Sequence, residues 1–143
     1  MIYIKLTIAA FILLESMNVI FLYFFPQRKL ANSMGVFKAW EESKQDPRVF
    51  AMISYLVNWV AGTKLIILLL LLVLLLTAGA QTLVLAAAAL ALGISVFFWR
   101  LFPAMREMDQ QGQIDPPGYS STLGWMIGAM VLLFSAAALA ALI

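Results

Sequence analysis

The chain has 143 residues, of which 64% are hydrophobic and 11% charged, with a formal net charge of +2. A soluble domain carries about 25% charged residues, so there are too few here for an aqueous surface and the class is an integral membrane protein. Cysteine and histidine are absent, which excludes disulfides, thiol nucleophiles, thiolate and imidazole metal sites, and imidazole acid–base chemistry.

Four apolar stretches, 3–25, 51–77, 81–102 and 121–143, are long enough to cross roughly 30 Å of hydrocarbon as helices. Only one charge, Lys5, lies in its first residues, and no small-residue cleavage site follows it. It reads as a retained span rather than a signal peptide. Phe21, Tyr23, Phe24 and Phe25 close it, and Pro26 stops it.

The loop over 26–50 carries Arg28, Lys29, Lys38, Lys44 and Arg48 against Glu41, Glu42 and Asp46. Within it Leu30, Met34, Phe37 and Trp40 recur at helical spacing. This predicts a short amphipathic helix over about 33–44, capped by Asn32 or Ser33 and lying on the cytoplasmic membrane face. Such a helix either closes the bottom of the bundle or docks a partner.

The second span contains Asn58, Thr63 and Lys64, then runs without a charge to the turn Ala78–Gly79–Ala80. The third ends on Phe97, Phe98, Trp99 and Phe102, with Pro103 next. The loop over 103–120 holds Arg106, Glu107, Asp109 and Asp115, whose spacing lacks the pattern of a calcium loop. It reads as a solvated turn, with Ser120 or Ser121 capping the fourth span. Every proline falls in a connection, so the spans are expected to be continuous helices. That argues against a transporter built on broken helices.

Five of the nine lysines and arginines lie in the loop 26–50, and Arg106 lies in the loop 103–120 with Arg100 just inside the third span. The positive-inside rule puts both in the cytoplasm and both termini outside, with a bacterial cytoplasmic membrane as the expected location. The same clustering explains the basic balance without nucleic acid. The expected fold is an all-α antiparallel bundle of four transmembrane helices in a single domain, residues 1–143. The two halves also share punctuation. Phe25–Pro26 matches Phe102–Pro103, and Trp59–Gly62 matches Trp125–Gly128. This pattern suggests two tandem helical hairpins in parallel orientation. At the positions matching Glu15 and Lys64 the second half has Leu92 and Met130, so a polar site belongs to the first hairpin.

Glu15 and Lys64 are the best functional lead. An ionisable residue at bilayer depth is costly unless paired or facing water. Glu15 lies about 18 Å from the outer end of its span and Lys64 about 19 Å from the inner end of its own. The two depths coincide to within a helix turn, so an ion pair is expected. Asn18 shares a face with Glu15. With Asn58 and Thr63 the predicted polar cluster is Glu15, Asn18, Asn58, Thr63 and Lys64, either a ligand or ion site or glue between helices. Gly62, Gly93, Gly124 and Gly128 are expected to let helices approach closely. Gly124 and Gly128 form a packing motif suited to the third span or to a second copy.

No cofactor, metal or catalytic residue is indicated, and the partners expected are the lipid bilayer and a membrane protein or a second copy of the chain. Three functions compete. The first is a non-enzymatic accessory or structural subunit of a membrane complex. The second is a small transport or lipid- or ligand-binding protein using Glu15 and Lys64. The third is a lipid-modifying enzyme with Glu15 as acid or base.

Overall fold

The computed structural model describes residues 1–141, so the last two residues of the expected fourth span, 142–143, lie outside the described residues. The elements in chain order are α1 (Ile2–Phe24), a single 3-10 turn (Met34–Val36), α2 (Lys38–Ser43), α3 (Pro47–Thr77), α4 (Ala80–Ser95), α5 (Phe97–Gln110) and α6 (Tyr119–Ala140). Four stretches have the length and composition to cross a membrane: α1, α3, α4 with α5, and α6.

Local chemistry sets the helix ends. Asp46 caps α3 by accepting from the N–H groups of Arg48 and Val49, with Pro47 in the first turn where it lacks nothing. At the other end Ala78 turns extended and releases the chain into Gly79. The helix α1 stops at Phe24, because Phe25 precedes a proline and is steered out of the helical region.

The helices pack as two pairs, α1 with α3 and α4 with α6, and α1 also lies against α4 and α6. One core cluster joins three helices: Ile4 and Ile8 of α1, Leu83, Ala87 and Ala91 of α4, and Phe134 with Ala137 and Ala138 of α6. The alanines bring backbones close enough for dispersion contacts to hold helices that gain no hydrophobic drive in lipid. A second cluster, Leu22, Trp40, Val57 and Ala61, joins α1, α2 and α3 at the opposite end. A third, Val36, Met105, Ile114 and Leu123, ties the two long loops to α5 and α6. There the loops meet backbone to backbone: Lys38 N–H bonds to the Gln113 carbonyl and Asp115 N–H to the Val36 carbonyl. Both long loops therefore lie at the same end of the molecule.

Two expectations are corrected. Pro103 does not end the third span, because α5 runs through it from Phe97 to Gln110. Beyond Pro103, Met105 and Met108 pack into the third cluster, and this packing offsets the single hydrogen bond that proline removes. The interruption comes earlier, at Val96, where Trp99 N–H bonds to the Val96 carbonyl three residues back. The Ser95 hydroxyl bonds back to the Leu92 carbonyl at 2.7 Å, beside Gly93, a combination that bends helices.

The single amphipathic helix over 33–44 is not present either. Phe37 is extended (φ −94°, ψ 122°) between the 3-10 turn and α2, and it bridges to Ile114. The four-residue stripe is accordingly dispersed. Leu30 is exposed and Trp40 buried, while Met34 packs in the second cluster and Phe37 in the third.

Candidate polar site between α1, α3 and the first loop

Glu15 and Asn18 stand one turn apart on α1, facing Lys64 of α3. The Lys64 ammonium donates to Glu15 Oε2 at 2.6 Å and to Asn18 Oδ1 at 2.6 Å. Two of its three donors are thus used by α1. The helices can approach here because the α3 face beside the lysine is small. Ala61 is fully buried, and a Cβ on Gly62 would lie 3.1 Å from the Tyr23 hydroxyl.

Asn18 is buried, and its amide NH2 points the other way. It donates to the Ala31 carbonyl and, at 3.3 Å, to the Asn32 carbonyl. Asn18 lies six residues before the end of α1, about 9 Å along the axis. The first loop must therefore fold back along α1 to meet it. It does so through Ala31 (φ 52°) and Asn32 (φ 55°), two consecutive left-handed residues, a conformation that costs roughly 1–2 kcal/mol per non-glycine residue.

The turn is closed by Ser33, whose hydroxyl shares its one proton between the Leu30 and Arg28 carbonyls. It is also closed by Gly35, whose N–H bonds to the Pro26 carbonyl at 2.8 Å. A Cβ at Gly35 would sit 2.1 Å from the Gln27 carbonyl oxygen, so only glycine fits. The Tyr119 hydroxyl then donates to Asn32 Oδ1 at 3.1 Å. A continuous polar chain runs from Glu15 through Lys64, Asn18 and the loop to the start of α6.

The other two members of the expected cluster are not part of it. Asn58 and Thr63 are exposed, and each donates to its own helix, to the Ser54 carbonyl at 2.9 Å and the Trp59 carbonyl at 3.0 Å. Of the glycines, Gly124 makes the tightest approach, since a Cβ there would lie 2.6 Å from the Phe102 ring. Gly128 is in ordinary contact distance of Phe98, and Gly93 has nothing within 4 Å. Gly93 is on the outside of α4 just before the break, so it packs against no helix.

The pair is not sealed off. Lys64 and Glu15 keep 32% and 27% of their side-chain surface accessible. Among the described residues no group of three or more Asp, Glu, His or Cys could hold a metal ion. Lys64 supplies the only positive charge placed against Glu15 among the described residues.

No match to this chain is found among family models, curated proteins or solved structures.

Two polar features at the loop end escaped sequence reasoning. Asp109 accepts from Gly118 N–H, Ser120 N–H and the Ser120 hydroxyl, so it caps α6 from another helix. The N-cap of α6 is Gly118, in the left-handed region at φ 81°, so neither expected serine is the cap, and the Ser120 hydroxyl donates to Asp109 instead. Asp115 pairs with Lys29 across the two loops. The Lys29 hydrogen bond, then its charge, holds the Asp115 carboxyl below the usual carboxylate range.

Proposed function

We propose that this chain is a non-enzymatic accessory or structural subunit of a membrane complex, with the Glu15–Lys64–Asn18 group acting as an intramembrane clasp. One observation carries the reading. The ammonium is held by both Glu15 and Asn18, and Asn18 in turn holds the loop. The ionisable groups at the centre of α1 and α3, Glu15 and Lys64, are thus engaged with each other and with Asn18 in tying helices and loop together. A paired charge in lipid fixes which helices meet. Here it fixes α1 to α3 and sets the first loop against their shared end. With both long loops in the cytoplasm, the exposed charges of α2 and its flanks face a partner there.

The test is recovery of the tagged chain at native expression level from membranes in mild detergent, without crosslinking. A stoichiometric second membrane protein is expected. A chain that runs alone, with no partner under any mild detergent, counts against the proposal.

A second reading is that Glu15 and Lys64 serve a transported or bound ligand, including a lipid. What favours it is the accessibility of about a third of the Lys64 side chain. Under that reading, neutralising both residues abolishes function even when the fold is stable.

A further inference from the structure

The buried Asn18 side chain stands between two groups of opposite hydrogen-bonding character. The Lys64 ammonium can only donate, and the loop carbonyls can only accept. A carboxamide offers an acceptor on one side and two donors on the other. Asn18 uses both: Oδ1 accepts from Lys64 at 2.6 Å, and Nδ2 donates to the Ala31 and Asn32 carbonyls. Only one orientation of the amide serves both sides, and the Lys64 charge selects it. A flipped amide would set donor against donor at Lys64 and acceptor against acceptor at the loop.

The turn that this amide holds is strained. Ala31 and Asn32 are both left-handed, at φ 52° and 55°. Asparagine tolerates that region, but alanine is penalised there. Such strain persists only where surrounding contacts over-determine it, and it collects at switch regions. The Ser33 and Gly35 amides close the turn within the loop, bonding to the Leu30 and Pro26 carbonyls at 3.1 and 2.8 Å. Among the described residues, Asn18 makes the only hydrogen bonds from α1 to the Ala31–Asn32 backbone.

We propose that the Glu15–Lys64 pair latches the first loop through Asn18, so that the state of the pair between the helices sets the shape of the loop. A hydrogen-bond acceptor that draws the ammonium away from Asn18 frees the amide, and the strain at Ala31 then opens the turn. By linkage, a partner that grips the open loop weakens the hold of Asn18 on Lys64 by the same factor. The latch rests on the clasp proposed above, but not on the complex.

The test is amide hydrogen exchange, read residue by residue by NMR on the full chain in micelles. Ser33 and Gly35 report the loop, because their amides close it. Leu68, buried one turn beyond Lys64 on α3, reports the spans. Glu15→Leu with Lys64→Met removes the pair, strands no charge and leaves Asn18 without a donor. Ser33 and Gly35 should then exchange about ten-fold faster, roughly the worth of one hydrogen bond to a charged group, with Leu68 unchanged. Asn18→Leu, which keeps the pair, should speed the same two amides. Ala31→Gly should slow them, because glycine takes a positive φ without strain. Unchanged exchange at Ser33 and Gly35 in the pair variant overturns the latch. Equal acceleration at Leu68 also overturns it, because the loop then follows the spans rather than the pair. Exchange that Ala31→Gly does not slow shows no strain to release and overturns it as well. Each of these failures leaves the clasp standing, since that is judged by the stability of the spans. If the pair variant does not fold, Lys64→Met alone decides by the same comparison of loop and α3.

Discussion

Replacing Lys64 by Met removes the ammonium and strands two groups at once, the Glu15 carboxylate and Asn18 Oδ1. Breaking a fully buried ion pair by deleting one partner costs about 3–5 kcal/mol. One feature of the structure lowers this figure. The two side chains are 32% and 27% accessible, so part of the desolvation is never incurred. The expected destabilisation is about 2–3 kcal/mol. Glu15→Gln alone is expected to cost a similar amount, because the Lys64 charge then faces only neutral amide oxygens. The double variant carries no uncompensated charge and should recover to within about 1 kcal/mol of the native chain. Reversible unfolding in mixed micelles, followed by circular dichroism across all four species, gives the coupling directly. Additive losses in the double variant would refute the pairing and with it the clasp.

The glycines offer a contrast. Gly124→Ala forces a Cβ against the Phe102 ring and should destabilise by about 1–3 kcal/mol, whereas Gly93→Ala, in open space on a helix, should be neutral or stabilising by up to about 1 kcal/mol; thermal unfolding of the two variants separates them. The Lys29–Asp115 contact stabilises the loop junction above the ordinary aspartate pKa, and that contribution is lost as pH falls through the lowered folded value. Amide exchange in 111–115 should therefore gain protection on raising the pH from 3 to 6, after correction for intrinsic rates, and Lys29→Gln should remove that gain. For orientation, cysteine at exposed Gln45 should be shielded from an impermeant thiol reagent in intact cells and cysteine at Gly79 labelled; the reverse pattern rejects the cytoplasmic placement of the long loops.

Helices of spanning length were legible because lipid imposes one requirement, about 20 apolar residues in a row, and the chain meets it four times. Glu15 and Lys64 stood out for the same reason, as charges where the solvent offers no help. Asn58 and Thr63 misled because an amide or hydroxyl on a helix can bond to the carbonyl four residues back, so polarity at a position does not show where the group points. Pro103 misled because its local cost is one hydrogen bond, while the gain comes from Met105 and Met108 packing on residues from both long loops and α6. The first loop was misread because its shape depends on distant groups. Asn18 holds the Ala31–Asn32 turn, Gly35 lies against the Gln27 backbone, and Phe37 pairs with Ile114. The spacing of Leu30, Met34, Phe37 and Trp40 carries none of that. Asp109 capping α6 across nine to eleven residues is a tertiary contact of the same kind.

The most direct measurement is assembly by the Glu15→Gln, Lys64→Met double variant, expressed at native level in place of the wild-type chain and recovered from its membranes in mild detergent. If the pair is a structural clasp, the double variant returns the same complex, with the same partner at the same stoichiometry, and supports the same growth or activity. A double variant that folds with native stability and assembles, yet has lost function, would contradict the clasp and make Glu15 and Lys64 a working site.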